Sequence, residues 1–332
     1  MTTTRPIVHQ VAGHAGHLIQ LEGSNAGRLG KYAHSKEALF YRSIAANDAL
    51  APLRPIVPAF YGTCKLEGQV AKTEDARESV RLTPGVESGI PQREFIVLED
   101  LTYKFDKPNV LDVKLGTVLH DEDATPEKRV RSEAVARATT SGETGIRLTG
   151  FQVYDLVANK PIITTKEYGK SLKAVELPQG IARFFPLAAD TTSSQTTTST
   201  VTTSRTGLPA DILLPILQNI RDDVEEIRDR VAEVHVRMRS TSLLVIYEAD
   251  CKRAREKLRL LGEAGEQDEN RDEDGDDEEQ RPPLTYVVKL IDFAHSTPVP
   301  GQGPDEGVLK GLTTFMELLD GRIEEVQKHM ST

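Results

Sequence analysis

Residues able to do chemistry gather in a few short stretches of this chain. In Pro108-Asn109-Val110-Leu111-Asp112-Val113-Lys114-Leu115-Gly116 the apolar residues alternate as in a half-buried β-strand. Leu111, Val113 and Leu115 share one face, and Asp112 and Lys114 share the other. Two residues along a strand span roughly 6.6 Å, which sets a carboxylate beside an ammonium on one open surface. Taken alone, the pair equally suits an edge strand with a solvated ion pair worth about 0–1 kcal/mol. Further along, Leu290-Ile291-Asp292-Phe293-Ala294-His295 carries a carboxylate off the end of an apolar run. Such a group serves as a turn residue or as one of the one or two carboxylates that Mg²⁺ takes together with phosphate oxygens. Lys31, with Glu37 shortly after it, offers a strand lysine and a helix glutamate, a pairing that can hold phosphates. Lys128 and Arg131 stand three apart, as a solvated helix face or as a cationic shelf for a phosphorylated ligand.

The elements that must position these groups can be read in order. Leu18-Ile19, a turn over residues 23–27 and Arg28 to Tyr32 predict a β-hairpin behind the glycine- and histidine-containing stretch of residues 13–17. Ser35 to Asn47 reads as a helix capped by Ser35, with Leu39, Phe40 and Ile44 on its apolar side and Glu37 and Lys36 in its first turn. Pro55 to Gly62 and Phe95 to Leu98 read as strands around a mobile polar loop, residues 74–91. The second ends in Glu99-Asp100-Leu101, a natural hinge whose backbone could pair with a flat base. Thr125 as cap and Pro126 at the first helical position open a helix bearing Lys128 and Arg131, and Gly145 to Tyr154 follows as a strand containing Arg147. Leu217, Ile220, Val224, Ile227, Val231 and Val234 form one apolar stripe, predicting a helix from roughly Pro209 to Arg239 that packs on its own lobe. Ser242 to Glu248 and Tyr286 to Phe293 read as a hairpin whose tip is interrupted by an acidic insert.

Composition excludes several classes. A chain of 332 residues suffices for two modest domains or one two-lobed enzyme, with a largely aliphatic core, since aromatics make up 5% and tryptophan is absent. Eleven acidic residues between Glu263 and Glu279 face one basic residue, Arg271, and this stretch accounts for the whole formal charge of −10. The remainder is neutral, which argues against a general nucleic-acid footprint. Cys64 and Cys251 sit in no metal-ligand spacing, and no run is apolar and long enough to span a membrane. Two segments are expected to be disordered: the Ser/Thr-rich loop at 190–207, where thirteen of the sixteen residues from Thr191 to Thr206 are Ser or Thr, and the acidic loop at 262–283.

Together these stretches resemble the inositol polyphosphate kinase family. Residues 108–116 fit its Pro-x-x-x-Asp-x-Lys-x-Gly motif at every fixed position. Ser242-Leu243-Leu244 and Ile291-Asp292-Phe293 look like its Ser-Leu-Leu and Ile-Asp-Phe elements, in the family's order. Gly13-His14, Lys31 with Glu37-x-x-Phe40-Tyr41, Glu99-Asp100-Leu101, residues 145–154 and residues 180–185 are similar as well. The resemblance implies an α+β, two-lobed, protein-kinase-like (ATP-grasp or kinase-like) fold. An antiparallel-sheet N-lobe would span residues 1–106. A larger mixed C-lobe would span 107–332, with the inositol-phosphate-binding segment at 117–185.

The resemblance also implies ATP and Mg²⁺ at the lobe junction. Lys31, steadied by Glu37, would hold ATP phosphates. The backbone of Glu99 and Leu101, with Asp100 between them, would meet adenine, and Asp112 the ribose. Lys114 would bridge the transferring phosphate and the inositol hydroxyl. Asp292 would bind the metal, with His295 a nearby metal or substrate contact. Lys128, Arg131 and Lys36 would receive the substrate's phosphates. The short segment between Gly116 and Gly145 looks most like the multikinase branch, acting on soluble inositol tris- and tetrakisphosphates. The hexakisphosphate kinase branch, which makes pyrophosphates, is the alternative. A scaffold binding basic proteins through its acidic run and a kinase for another small molecule are further readings. A monomer resident in nucleus and cytoplasm is expected.

Overall fold

The computed structural model describes residues 4–6, 18–32, 35–66, 70–71, 79–80, 93–188, 206–267 and 284–331. Gly13-His14, most of the polar loop at 74–91, nearly all of the Ser/Thr-rich loop and acidic residues 268–283 lie outside them. Strands β1 (Thr4–Pro6), β2 (Leu18–Leu21), β3 (Arg28–Tyr32), β4 (Phe60–Leu66) and β7 (Arg93–Glu99) form an antiparallel sheet in the order β1-β2-β3-β7-β4. Two-residue strands β5 (Val70–Ala71) and β6 (Ser79–Val80) pair with each other between β4 and β7. Helix α1 (Ser35–Ala46) packs beside the sheet and buries Phe40, Tyr41 and Ile44. Leu39, expected on the buried side, is exposed and lines a cleft. It lies one residue, a turn of about 100°, from Phe40. The strand expected from Pro55 starts only at Phe60, because residues Asp48–Ile56, with prolines at 52 and 55, coil into a 3₁₀ segment.

A second antiparallel sheet has the order β10-β9-β8-β12-β13. Its strands are β8 (Pro108–Leu115), β9 (Ile146–Asp155), β10 (Lys160–Thr164), β12 (Ser242–Glu248) and β13 (Tyr286–Ile291). The strand bearing Asp112 and Lys114 is therefore central. Both its faces are covered, so the pair does not stand on an open surface. β11 (Val236–Arg239) and β14 (His295–Pro298) form a separate ribbon. It replaces the end of the long predicted helix, since α6 (Ala210–Ala232) stops at the Glu233 cap. The α6 stripe is buried as expected, each side chain worth roughly 1.5–3 kcal/mol, and it packs on β13 and on α8 (Glu306–Met330). Gly311 of α8 approaches Gly145 so closely that an added Cβ would lie 2.3 Å from the Gly145 carbonyl oxygen. The remaining helices are α2 (Pro126–Ala138), α3 (Thr140–Thr144), α4 (Lys166–Ser171), α5 (Leu177–Phe184) and α7 (Cys251–Gln267). α7 was not expected, and it carries the first residues of the acidic run, 262–267, as helix rather than extended chain.

Glu248 ties the two sheets' connection down. Fully buried at the end of β12, its carboxylate accepts from the amides of Asp106, Lys107 and Asp250, each at 3.1 Å, with Lys257 Nζ 3.7 Å away. Removing it strands three donors and a buried ammonium. Glu248→Ala is expected to destabilise the protein by about 3–5 kcal/mol, read from urea unfolding.

Candidate functional site

The sheet register builds the site. Across one row stand Arg147 of β9, Lys114 of β8, Ser242 of β12 and Ile291 of β13, with Asp292 just beyond. Asp112 shares the face of Lys114, and a bulge that leaves Thr149 unpaired interrupts the ladder beside it. Asp292 leaves β13 with φ at +67°, a left-handed turn that carries its side chain out of the strand's alternation. Its Oδ1 accepts from Lys31 Nζ at 2.6 Å, and the same ammonium donates to Glu37 Oε1 at 2.7 Å. Glu37 Oε1 also accepts the amide of Phe293 at 3.1 Å. One buried glutamate thus locks the first lobe's lysine and helix to the turn that holds Asp292. Phe40 stacks on Phe293 at 5.1 Å and Tyr41 on Phe60 at 5.4 Å, closing the same junction with apolar contact.

The electrostatics of the site are governed by burial and by the charges packed together there. Burial pushes the Asp112 carboxyl up to about 6, Asp292's charge adds to the rise, and Lys114 opposes it. Hydrogen bonding from the Ser242 and Thr149 side chains also draws the Asp112 carboxyl down, less than Lys114 does. Burial likewise lowers Lys114, against the pull of Asp112 and Asp292; its ammonium donates to the Ser240 carbonyl at 2.8 Å. Burial also lowers Arg147, which is 8% exposed and has an Nη1 without a hydrogen-bond partner. Lys31 is held well above the usual lysine range: burial works against its charge, but Asp292 and Glu37 outweigh it. Asp292 is lowered although burial opposes this, because Lys31 and Lys114 neutralise it. Arg147 belongs to the site by register. Strand alternation around it could have indicated its face, but not its neighbours.

Two cavities flank this cluster. One of about 240 Å³ lies at the hinge between Gly27, Arg28, Tyr61, Leu101, Phe105 and Val287, with Glu99 and Asp100 on its wall. Two of the expected hinge groups are already engaged. The Glu99 amide donates to the Ala59 carbonyl at 2.9 Å, so it is not available to a base. The Asp100 carboxylate accepts from Gln20 and from the amide and hydroxyl of Thr102, which makes it a brace of the turn. Leu101 faces the cavity. Leu284, where the chain returns from the acidic insert, lines the same cavity. The other cavity, about 440 Å³, is lined by Lys36, Phe40, Asp121, Asp123, Arg237, Arg239 and His295, among others. Lys36 pairs with Asp123 at 3.0 Å, Lys128 with Asp121 at 3.5 Å, and His295 Nδ1 lies 2.8 Å from Asp121. His295 is therefore engaged on the Asp121 side, and Arg131 is exposed on α2. Arg237 and Arg239 were not anticipated, because their strand was read as helix. Among the described residues no cluster of three His, Cys, Asp or Glu side chains could hold a metal by itself. None of the described helices is long and apolar enough to cross a membrane.

Known proteins are similar to this chain in sequence and in fold. The chain is 28% identical to the inositol polyphosphate multikinase of Saccharomyces cerevisiae over 371 aligned positions, covering 95% of this chain and 97% of that protein. It is 30% identical to rat inositol hexakisphosphate kinase 1, over 70% of this chain but only 52% of that longer protein. The crystal structure of the S. cerevisiae inositol phosphate multikinase, solved with ADP and Mn²⁺, superposes with a TM-score of 0.61 at 25% identity. That match covers 89% of this chain and 99% of that one, and confirms the expected kinase fold. The model of the inositol polyphosphate kinase family matches residues 95–320, which include the central strand, the Arg147 strand and the Asp292 turn. Because that model matches residues 95–320, more than half of the chain, the chain belongs to the inositol polyphosphate kinase family.

Proposed function

We propose that this kinase transfers the γ-phosphoryl group of ATP to hydroxyls of soluble inositol tris- and tetrakisphosphates, in the manner of the multikinase branch, with Mg²⁺ as the divalent ion. The carrying observation is the ionic cluster of Lys31, Glu37, Asp292, Asp112, Lys114 and Arg147, near a hinge cavity and a second cavity of mixed charge lined by Lys36, Arg237, Arg239 and His295 together with Asp121, Glu122 and Asp123. The residues fit a divalent ion with a triphosphate. Asp292 keeps two-fifths of its side chain exposed. One such carboxylate is enough for Mg²⁺, which takes one or two carboxylates together with phosphate oxygens, and the bound ion would neutralise charge developing on those oxygens. On this reading Lys31 holds the nucleotide's phosphates and Glu37 fixes the lysine's position. Asp112 meets the ribose, and Leu101 borders the base. Lys114, beside Arg147, orients the transferring group toward the acceptor hydroxyl. Lys36, Lys128, Arg131 and His295 receive the acceptor's phosphates. Phosphoryl transfer asks chiefly for such positioning and for cations around the equatorial oxygens. The lobes are taken to divide at residues 106 and 107, and the enzyme to reside in nucleus and cytoplasm.

The test is incubation with Mg·ATP and inositol tris-, tetrakis- or hexakisphosphate, followed by separation of products. The tris- and tetrakisphosphates should gain phosphates. Pyrophosphate made from the hexakisphosphate would assign the protein to the sibling branch, and no product from any of the three would end the reading.

A further inference from the structure

The 440 Å³ cavity already contains anions, and the chain supplies them. Asp121, Glu122 and Asp123 lie between the end of β8 and the cap of α2. Their partners come from three different elements: Lys36 of α1, Lys128 of α2 and His295 of β14. The Glu122 carbonyl also accepts from Arg129 Nη2 at 2.9 Å. Three of the four side chains expected to receive substrate phosphates are thus engaged by carboxylates of one short stretch.

Resting on the function proposed above, we propose that Asp121 and Asp123 act as internal stand-ins for substrate phosphates, holding Lys36, Lys128 and His295 until an inositol phosphate of sufficient charge displaces them. Physical chemistry allows the exchange in one direction. The Lys36–Asp123 pair is 59% and 71% exposed on its two sides, and exposed pairs are individually weak. A phosphate ester brings more charge and three acceptor oxygens, so it outcompetes a single carboxylate for the same ammonium. The exchange leaves the core intact, because Ala136 is the one residue that α2 buries. A ligand with few phosphates gains too little to replace all three contacts, so the stretch selects for phosphate number by competition. Asp121 and Asp123 are specificity-determining residues and take no part in the transfer.

The experiment measures kcat and KM for an inositol trisphosphate at saturating Mg·ATP, with Kd by calorimetry in the absence of ATP. Asp123→Asn should lower both KM and Kd about two- to five-fold, with kcat held within about two-fold. Asp121→Asn, which frees Lys128 and His295, should do at least as much. In a Lys36→Met background the gain from Asp123→Asn should vanish, because the freed partner is gone. A KM that stays the same or rises in Asp123→Asn overturns the proposal, since it would make Asp123 a positioner of Lys36. A gain that persists in the Lys36→Met background also overturns it, by reducing the effect to net charge. If the wild-type protein neither binds nor phosphorylates the trisphosphate, the proposed function itself has failed, and the competition falls with it.

Discussion

Asp292→Asn loses ATP-dependent turnover by on the order of 10³-fold while the protein stays folded. The substitution removes the anionic oxygen facing the cleft and leaves the scaffold that holds it. Lys31 keeps Glu37 at 2.7 Å, and Glu37 keeps the Phe293 amide. The backbone at position 292 is left-handed, with φ at +67°, a region asparagine adopts more readily than most residues. Circular dichroism and the melting temperature should therefore change little. Alanine would confuse the result by straining that turn. Wild-type turnover in Asp292→Asn would remove Asp292 from the metal site and, with it, the mechanism proposed for the cleft.

The second large effect is on stability. The Asp112 carboxyl is pushed up to about 6 in the folded protein from an ordinary 3.8. A carboxyl that holds its proton more tightly when folded contributes stability that is complete below pH 3.8 and is lost as pH rises through about 6. At neutral pH the free protein thus carries a buried, poorly solvated charge. The span from 3.8 to about 6 corresponds to roughly 3 kcal/mol. Asp112→Asn should accordingly raise the stability of the ligand-free protein by about 1–3 kcal/mol near pH 8, seen as a melting temperature several degrees higher. Its stability should also vary less between about pH 4 and pH 7. On the function proposed above, the same variant should be severely impaired in catalysis, because the charge that destabilises the free protein is the one the nucleotide would meet. Lower stability for Asp112→Asn near pH 8 would mean that the carboxylate is satisfied in the free protein.

Much of this was legible in the residues. The alternation in residues 108–116 identified a strand with Asp112 and Lys114 on one face, and Thr125-Pro126 marked the start of α2, where Thr125 does accept the Lys128 amide. The central position of β8 was not legible, because its neighbours β9 and β12 lie far along the chain and only pairing reveals them. The end of α6 was missed because Val234 continues the apolar spacing after the helix has stopped, and β11 is only four residues long. α7 was missed because its buried side relies on Ala254 and on Lys257, whose ammonium lies 4.7 Å from the ring centre of Phe105. Local chemistry announced Lys31 and Glu37, six residues apart. Arg147 needed the register to place it beside Lys114, and no local pattern marks an arginine that will be buried.

The anchoring of the connector by Glu248 bears on how the cleft opens. Asp106 and Lys107 are fastened to β12 through their amides, and Leu101 and Phe105 pack with Val110, Ile246 and Val287 of the second sheet. The connector therefore rides with the larger half of the molecule rather than flexing along its length. If the smaller half turns against the larger, the turn therefore falls before Phe105, beside the residues 99–101 that wall the hinge cavity. Amide exchange should consequently be slow from Phe105 to Lys107 and respond to nucleotide chiefly at residues 99–101.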